Sequence, residues 1–330
     1  MISPSRRLVA SCLLMVFCTV LMAVWSLRSG AVTLELTQVM NALTGDAPRA
    51  MQRVVMEWRL PRVLMALLVG AALGVSGAIF QSLMRNPLGS PDVMGFNTGA
   101  WSGVLVAMVL FGQHLTAIAL AALAGGMLTS LVVWLLAWRN GIETFRLIIV
   151  GIGVRAMLVA FNTWLLLQAS LETAVTAGLW NAGSLNGLTW AKTLPSAPII
   201  MLMFVCAALL ARRMRLLEMG DDSACALGVR VERSRLLLML VAVALTAAAT
   251  ALAGPISFIA LVAPHIARRI SATARWGLTQ SALCGALLLL LADFVAQQGF
   301  TPYQLPVGVV TVSLGGIYLI ALLIQESRKK

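Results

Sequence analysis

The 330-residue chain is 60% hydrophobic and only 11% charged, with a mean hydropathy of +0.93. Soluble globular domains carry about 25% charged residues, so this composition excludes one and places the chain among polytopic membrane proteins. The formal charge of +12 does not point to nucleic acid, because the basic residues stand at the ends of apolar runs and build no basic tail or face.

A helical span needs roughly 20 apolar residues to cross about 30 Å of hydrocarbon. The hydropathy pattern predicts an all-α protein of about ten such spans, over 8–27, 61–84, 92–111, 115–138, 147–169, 194–211, 236–253, 256–270, 277–296 and 306–325. Arg6-Arg7 before the first run gives it the look of a signal peptide. That run ends in Trp25-Ser-Leu-Arg28 with no small-x-small cleavage site, which predicts an uncleaved helix. The second span opens at Trp58-Arg59-Leu-Pro-Arg62, where proline suits the first turn of a helix and two arginines straddle it at the water boundary. They are interfacial anchors, or a pair able to receive the carboxylates of a soluble partner. Gly70, Gly74 and Gly77 in this span, and Gly95, Gly99 and Gly103 in the next, have the spacing that lets helices approach closely in lipid. Between the two spans, Arg85-Asn-Pro-Leu-Gly-Ser-Pro-Asp92 forms the turn, with Asp92 set to cap the third span.

Arg155 lies inside the fifth span, and a central arginine is costly in lipid. It lines a watery path or has a structural partner; Asp293 in the ninth span is the carboxylate available, at a depth that does not match. Residues 171–193 are too long for a hairpin. They read as a short interfacial helix around Leu179–Trp190, with Trp180 and Trp190 at headgroup level and Asn181, Ser184 and Asn186 on its polar side. The 212–235 segment is densely charged and centres on Glu218-Met-Gly-Asp-Asp-Ser-Ala-Cys-Ala-Leu-Gly-Val229. The eighth span is short and begins at Gly254-Pro255, which predicts a tilt or a displaced boundary.

Orientation follows from Lys and Arg. With the N-terminus inside, only Arg28, Arg49, Arg53, Arg59, Arg62 and Lys192 fall outside, so both termini and the 212–235 segment are expected in the cytoplasm. Other chemistry fails to assemble. His114 and His265 lack the spacing of a metal site, and the five cysteines show no Cys-x-x-Cys, with Cys12, Cys18, Cys206 and Cys284 in apolar runs and Cys225 in the charged segment. No Gly-x-x-x-x-Gly-Lys-Ser/Thr occurs, so no nucleotide is expected on a P-loop, and nothing indicates an enzyme.

A run of motifs then carries a resemblance: Arg59-Leu-Pro-Arg62, Gly70-Ala-Ala-Leu-Gly74, Gln81, Arg85-Asn-Pro-Leu88, Gly95, Gly99-Ala100, Gly183-Ser-Leu185, Met219-Gly-Asp-Asp222, Ala226-Leu-Gly-Val229, Gly254-Pro-Ile-Ser-Phe258, Leu261-Val-Ala-Pro-His265, Arg268, Ala292-Asp293 and Leu305-Pro-Val-Gly-Val-Val-Thr311. From about residue 55 to 325 the chain resembles the permease subunits of iron-siderophore and cobalamin ABC importers. The resemblance implies a cobalamin-permease-like fold of the type II ABC importers, in the bacterial inner membrane. It implies a second permease subunit, two cytoplasmic ATPase subunits that use the ATP, a periplasmic siderophore-binding protein, and no cofactor in this chain. It further implies ATPase coupling at Met219, Gly220, Asp221, Asp222, Ala226, Leu227 and Gly228, binding-protein docking at Arg59 and Arg62, and a translocation path or gate near Thr144, with Arg155, Asn181 and Ser184 as further path candidates.

The chain departs from the family pattern at Gln297, where Arg is frequent, at Gln304, where Glu is frequent, and at Gly315-Gly-Ile-Tyr318, where a Gly-Ala-Pro-Phe type is usual. Loss of that Arg removes a third docking charge and favours a heterodimer of permeases. The substrate that the resemblance implies is a ferric siderophore, ferric enterobactin first, with another siderophore or cobalamin as alternatives. An ion-coupled secondary transporter is the rival class; it would favour intramembrane carboxylates and inverted repeats, and the chain offers Asp293 and no repeat.

Overall fold

The computed structural model describes residues 4–30, 32–92, 94–112, 115–139, 144–194, 196–273 and 275–327. His114 and the basic residues 328–330 lie outside the described residues. The regular elements are helices throughout: α1 Pro4–Arg28, α2 Leu36–Thr44, α3 Arg49–Gln52, a π-helical stretch Arg53–Arg59, α4 Leu60–Met84, α5 Phe96–Phe111, α6 Leu115–Ala137, α7 Thr144–Gln168, α8 Leu171–Asn181, α9 Trp190–Thr193, α10 Ala197–Glu218, α11 Asp221–Ala226, α12 Val231–Ala253, α13 Ile259–Ser271, α14 Leu278–Gln298 and α15 Val307–Ser327. Among the described residues, seven helical segments are long and apolar enough to cross a membrane, and α5 and the apolar part of α15 are shorter.

Most of α4 is buried, and the bundle is built around it. On one side α4 packs against α14 and α13; on the other it meets α12 and α10, while α5 and α6 form a tight pair joined to it through α12. Small residues make these contacts possible. A side chain at Gly77 would run into the Ala260 backbone of α13, and Gly70 meets the main chain of α14 at Gly285. Lipid offers no hydrophobic drive for helix association, so dispersion at such distances and interhelical hydrogen bonds must supply it. Inside the bundle Ser76 Oγ donates to the Ala242 carbonyl at 2.8 Å and contacts Thr246 Oγ1 at 2.7 Å, while Gln81 Nε2 donates to the Leu261 carbonyl at 2.8 Å.

Several boundaries differ from the sequence expectation, each for a local reason. The segment between the first two spans, where the hydropathy pattern assigns no span, forms α2 and α3 and then the π-helical stretch that runs directly into α4. Pro61 therefore sits inside continuous helix. The Leu60 amide bonds to Val55 five residues back, a widened turn of the kind that accommodates a proline ring. The third span starts at Phe96 instead of residue 92, because Gly95 adopts φ 80° and ends the preceding turn. Asp92 does not cap α5. Its carboxylate accepts from the Asn97 side-chain amide and, at 3.3 Å, from the backbone N–H of Phe258.

The interfacial helix lies earlier than expected: α8 occupies Leu171–Asn181, capped by Ser170, and a turn follows to α9. The charged 212–235 segment is mostly helical, since α10 runs on to Glu218 and α12 begins at Val231. The short eighth span is a half-length helix: the 13 residues of α13 reach about 20 Å at 1.5 Å each. A non-helical stretch precedes it, with Gly254 at φ 72° and Phe258 at φ 70°.

Candidate coupling face, cavity and outer rim

At one end of the bundle, α11 stands between α10 and α12. Gly220 and Gly228 flank it in left-handed conformations, φ 112° and 79°, which favour glycine and make both bends tight. Asp221, the first residue of α11, accepts from Arg85 Nη2 at 2.7 Å and from Arg235 Nη2 at 2.8 Å. Arg85 also donates to the Leu217 carbonyl at 3.0 Å, and Ser82 Oγ donates to Glu218 at 2.9 Å. The segment expected to couple is thus tied to the end of α4 and to the start of α12. The structure gives Asp221 an intrachain role that the sequence reading did not assign. Asp222 and Ala226 are exposed, as are Met219 and Leu227, whose apolar side chains are left largely uncovered by the described residues.

A cavity of about 610 Å³ lies between α5, α7, the end of α8 and α15. Its polar wall comprises Asp92, Asn97, Arg155, Asn162 and Asn181, and its apolar wall includes Trp101, which stacks on Trp180 at 5.4 Å between ring centroids. Arg155 lies in electrostatic range of Asp92, while Asp293 pairs with Arg62. Both polar atoms of the Asn162 side chain are buried without a hydrogen-bond partner among the described residues. Arg155, Val159, Asn162, Thr163 and Leu166 repeat at helical spacing, so this face of α7 was open to a periodicity argument, whereas the insertion cost of a charge singled out Arg155 alone. Of the other predicted path residues, Asn181 lines the cavity and Ser184 does not; Ser184 accepts the Asn186 N–H at 3.1 Å and its own amide bonds the Ala253 carbonyl at 2.7 Å. Thr144 opens α7, and its side chain lies outside the described ones.

The end of the bundle opposite α11 holds the two arginines expected to receive a partner, and both are engaged within the chain. Arg59 donates to the carbonyls of Leu27 at 2.8 Å, Arg28 at 3.1 Å and Val32 at 2.6 Å, which closes the C-terminal end of α1. Arg62 forms a fork onto Asp293, with Nη2 to Oδ1 at 2.7 Å and Nε to Oδ2 at 2.9 Å. The Asp293 side chain is 1% exposed and that of Arg62 15%. Gln297 donates its amide to the same carboxylate at 2.7 Å, so the glutamine standing where the family pattern has Arg completes an internal network. Both Arg62 and Asp293 lie at the outer ends of their spans in the charge-derived topology, which was the available signal for pairing them. Tyr318, at the other departure, makes a hydrogen bond with His265 Nδ1 that a phenylalanine could not make.

The FecCD transport family model matches residues 18–325. The chain belongs to the FecCD transport family. Over all 330 residues, covering the whole of both chains, it is 84% identical to the ferric enterobactin transport system permease protein FepG of Escherichia coli (strain K12). It is 38% identical to the achromobactin transport system permease protein CbrC of Dickeya dadantii (strain 3937), over 91% of this chain and 87% of that one. The hemin transport system permease protein HmuU of Yersinia pestis is 36% identical over 94% of each. Among solved structures, an inward-facing transporter described as of metal-chelate ABC type superposes with a TM-score of 0.83 at 27% identity, covering 96% of this chain and 99% of that chain. The all-α ABC-permease fold expected from the sequence is therefore the fold of this FecCD member, a multi-pass membrane permease.

Proposed function

We propose that this chain is the permease subunit of an ATP-binding-cassette importer that carries ferric enterobactin across the bacterial inner membrane. The observation that carries the reading is the 84% identity to FepG over the full length of both chains. Both termini and α11 then lie in the cytoplasm, as the distribution of Lys and Arg requires. The chain has no ATPase site of its own, and two cytoplasmic ATPase subunits use the ATP.

In this reading the ATPase subunits dock on the α11 face, with Met219 and Leu227 as apolar anchors. Force applied to α11 passes through Asp221 to Arg85 and Arg235, and so to α4 and α12 together. A second permease, a different chain, faces α7 and α15 and completes the path. This chain contributes the wall that carries Arg155, Asn162 and Asn181, while Thr144 stands at the cytoplasmic start of α7 as a gate and Ser184 fixes the outer turn. The substrate is a bulky anion, and one cation among neutral amides, partly offset by the Asp92 carboxylate, attracts it without trapping it. A periplasmic siderophore-binding protein docks on the outer rim around Arg59 and Arg62, whose contribution is limited to what their internal contacts leave exposed; Arg53 beside them is 69% exposed.

Expression in a strain lacking its ferric enterobactin permease subunit should restore uptake of radiolabelled ferric enterobactin. Failure to do so while the chain assembles in the membrane would remove the substrate assignment. Uptake by vesicles holding the chain without ATPase subunits, driven by an ion gradient, would remove the ABC assignment as well.

A further inference from the structure

A second cavity, of about 710 Å³, opens where α1, α10 and the N-terminus of α14 meet, at the end of the bundle that carries α11. Its two parts have opposite chemistry. Leu8 and Cys12 of α1 and Ala211 of α10 form an apolar throat, continuous with helix faces that show Leu13, Leu14, Val205 and Leu209 outward. Arg215 and Arg275 form the rim; both are exposed, and neither makes an ion pair or a side-chain hydrogen bond among the described residues. Glu218, which is in electrostatic range of Arg275, does not line the cavity and accepts from Ser82 instead.

Two further observations point to an occupant. Gln280 is 7% exposed and lines the cavity, its side chain folded back against Gly277 with no hydrogen-bond partner among the described residues. The 21-residue α14 begins beside it at Gly277, with no side-chain cap and no acidic residue in its first turn, so its free N–H groups and its dipole favour an anion there. The back wall is fixed by Trp276, held under the Arg268 guanidinium at 3.9 Å from the ring centroid.

We propose that this cleft binds one anionic phospholipid, its phosphodiester between Arg215 and Arg275 and the start of α14, and an acyl chain along the α1–α10 throat. Two guanidinium groups that make no ion pair among the described residues, above an apolar channel, match a charged headgroup and its acyl tail together. The leaflet assignment rests on the topology given under Proposed function; the binding itself does not. The occupant is distinct from the transported siderophore, whose cavity lies at α5, α7 and α15.

The test uses the full-length chain purified from membranes in its native assembly, exchanged with phosphatidylglycerol, phosphatidylcholine or inorganic phosphate, and read by native mass spectrometry. One phosphatidylglycerol should be retained in preference to phosphatidylcholine. Arg215→Gln with Arg275→Gln should weaken that retention roughly 30-fold, two charges each at the usual strength of a basic residue near an anionic leaflet. The paired lysine variant should keep most of it, and Arg212→Gln with Arg213→Gln, off the cleft, should change nothing. Equal retention by the glutamine pair and the parent would overturn the proposal. So would competition by inorganic phosphate alone, or loss of ATPase subunits from the glutamine pair with lipid retention intact, which would mark the cleft as a protein contact. None of these outcomes depends on whether ferric enterobactin is transported.

Discussion

Asp221 separates two ways in which the coupling segment could work. It could touch an ATPase subunit directly, or it could hold α11 where Met219 and Leu227 meet that subunit. Its carboxylate is 43% exposed and bonded to Arg85, 46% exposed, and Arg235, 14% exposed. Exposed ion pairs are worth about 0.2–1 kcal/mol each, so the two arms together hold α11 by about 1–1.5 kcal/mol after allowing for solvent. Asp221→Ala should then weaken ATPase-subunit association by roughly 5- to 10-fold, because part of the binding energy must re-order the helix. Arg235 is too buried to reach a partner, so Arg235→Gln should reproduce about half of that loss, and the double variant should fall short of the sum. Affinity measured by titrating purified ATPase subunit onto each variant in nanodiscs decides it. If Arg235→Gln leaves the affinity unchanged, or the two losses add fully, Asp221 contacts the partner itself and the tether argument fails.

Three further outcomes are expected. Asp293→Ala strands the Arg62 fork in a partly buried site, and losing one partner of such a pair typically costs about 3 kcal/mol; the melting transition of the detergent-solubilised chain should drop clearly, and an unshifted transition would show the network to be unimportant. Leu227→Asp with Met219→Asp should abolish co-purification of ATPase subunits while membrane insertion and thermal stability stay at parent values, since both side chains are exposed at 59% and 66%. Arg155→Glu should stop substrate uptake while leaving ATP hydrolysis by the assembly in place; uptake within twofold of the parent, measured with radiolabelled ferric siderophore, would remove Arg155 from the path.

The apolar runs were legible because a membrane helix must carry its solvation in its own composition, and a helix lies over each stretch read from hydropathy. The outer segment 29–59 was not, since α2 is short and amphipathic and the π-helical stretch comes from a turn widened ahead of Pro61, neither of which leaves a long apolar signal. The third span was placed four residues early because Asp92 has the look of an N-cap, whereas its lone pairs go to Asn97 and to the Phe258 amide 166 residues away. Tertiary partners of this kind override local preference. Charge counting put Arg62 and Asp293 at the same face of the membrane, yet left them unconnected, because depth alone does not say which helices are neighbours. The cavity fared better through Arg155 and Asn181, and worse through Asn97 and Asn162, neutral amides that carry no insertion cost large enough to draw notice.

The contact between Gly70 and Gly285 has a consequence for how this protein can change over time. Each residue already has the smallest side chain available, and each faces the main chain of the other. An added methyl at either site has no compensating reduction to find across the interface. Suppressors of a Gly70→Ala or Gly285→Ala defect must therefore lie elsewhere, at positions that let α4 or α14 shift as a whole, and both helices are already fixed at the end opposite α11 by the Arg62–Asp293 fork. The pair admits replacement in one direction only, which leaves these two positions with fewer evolutionary exits than the ionic contact beside them, where a charge can be exchanged between partners.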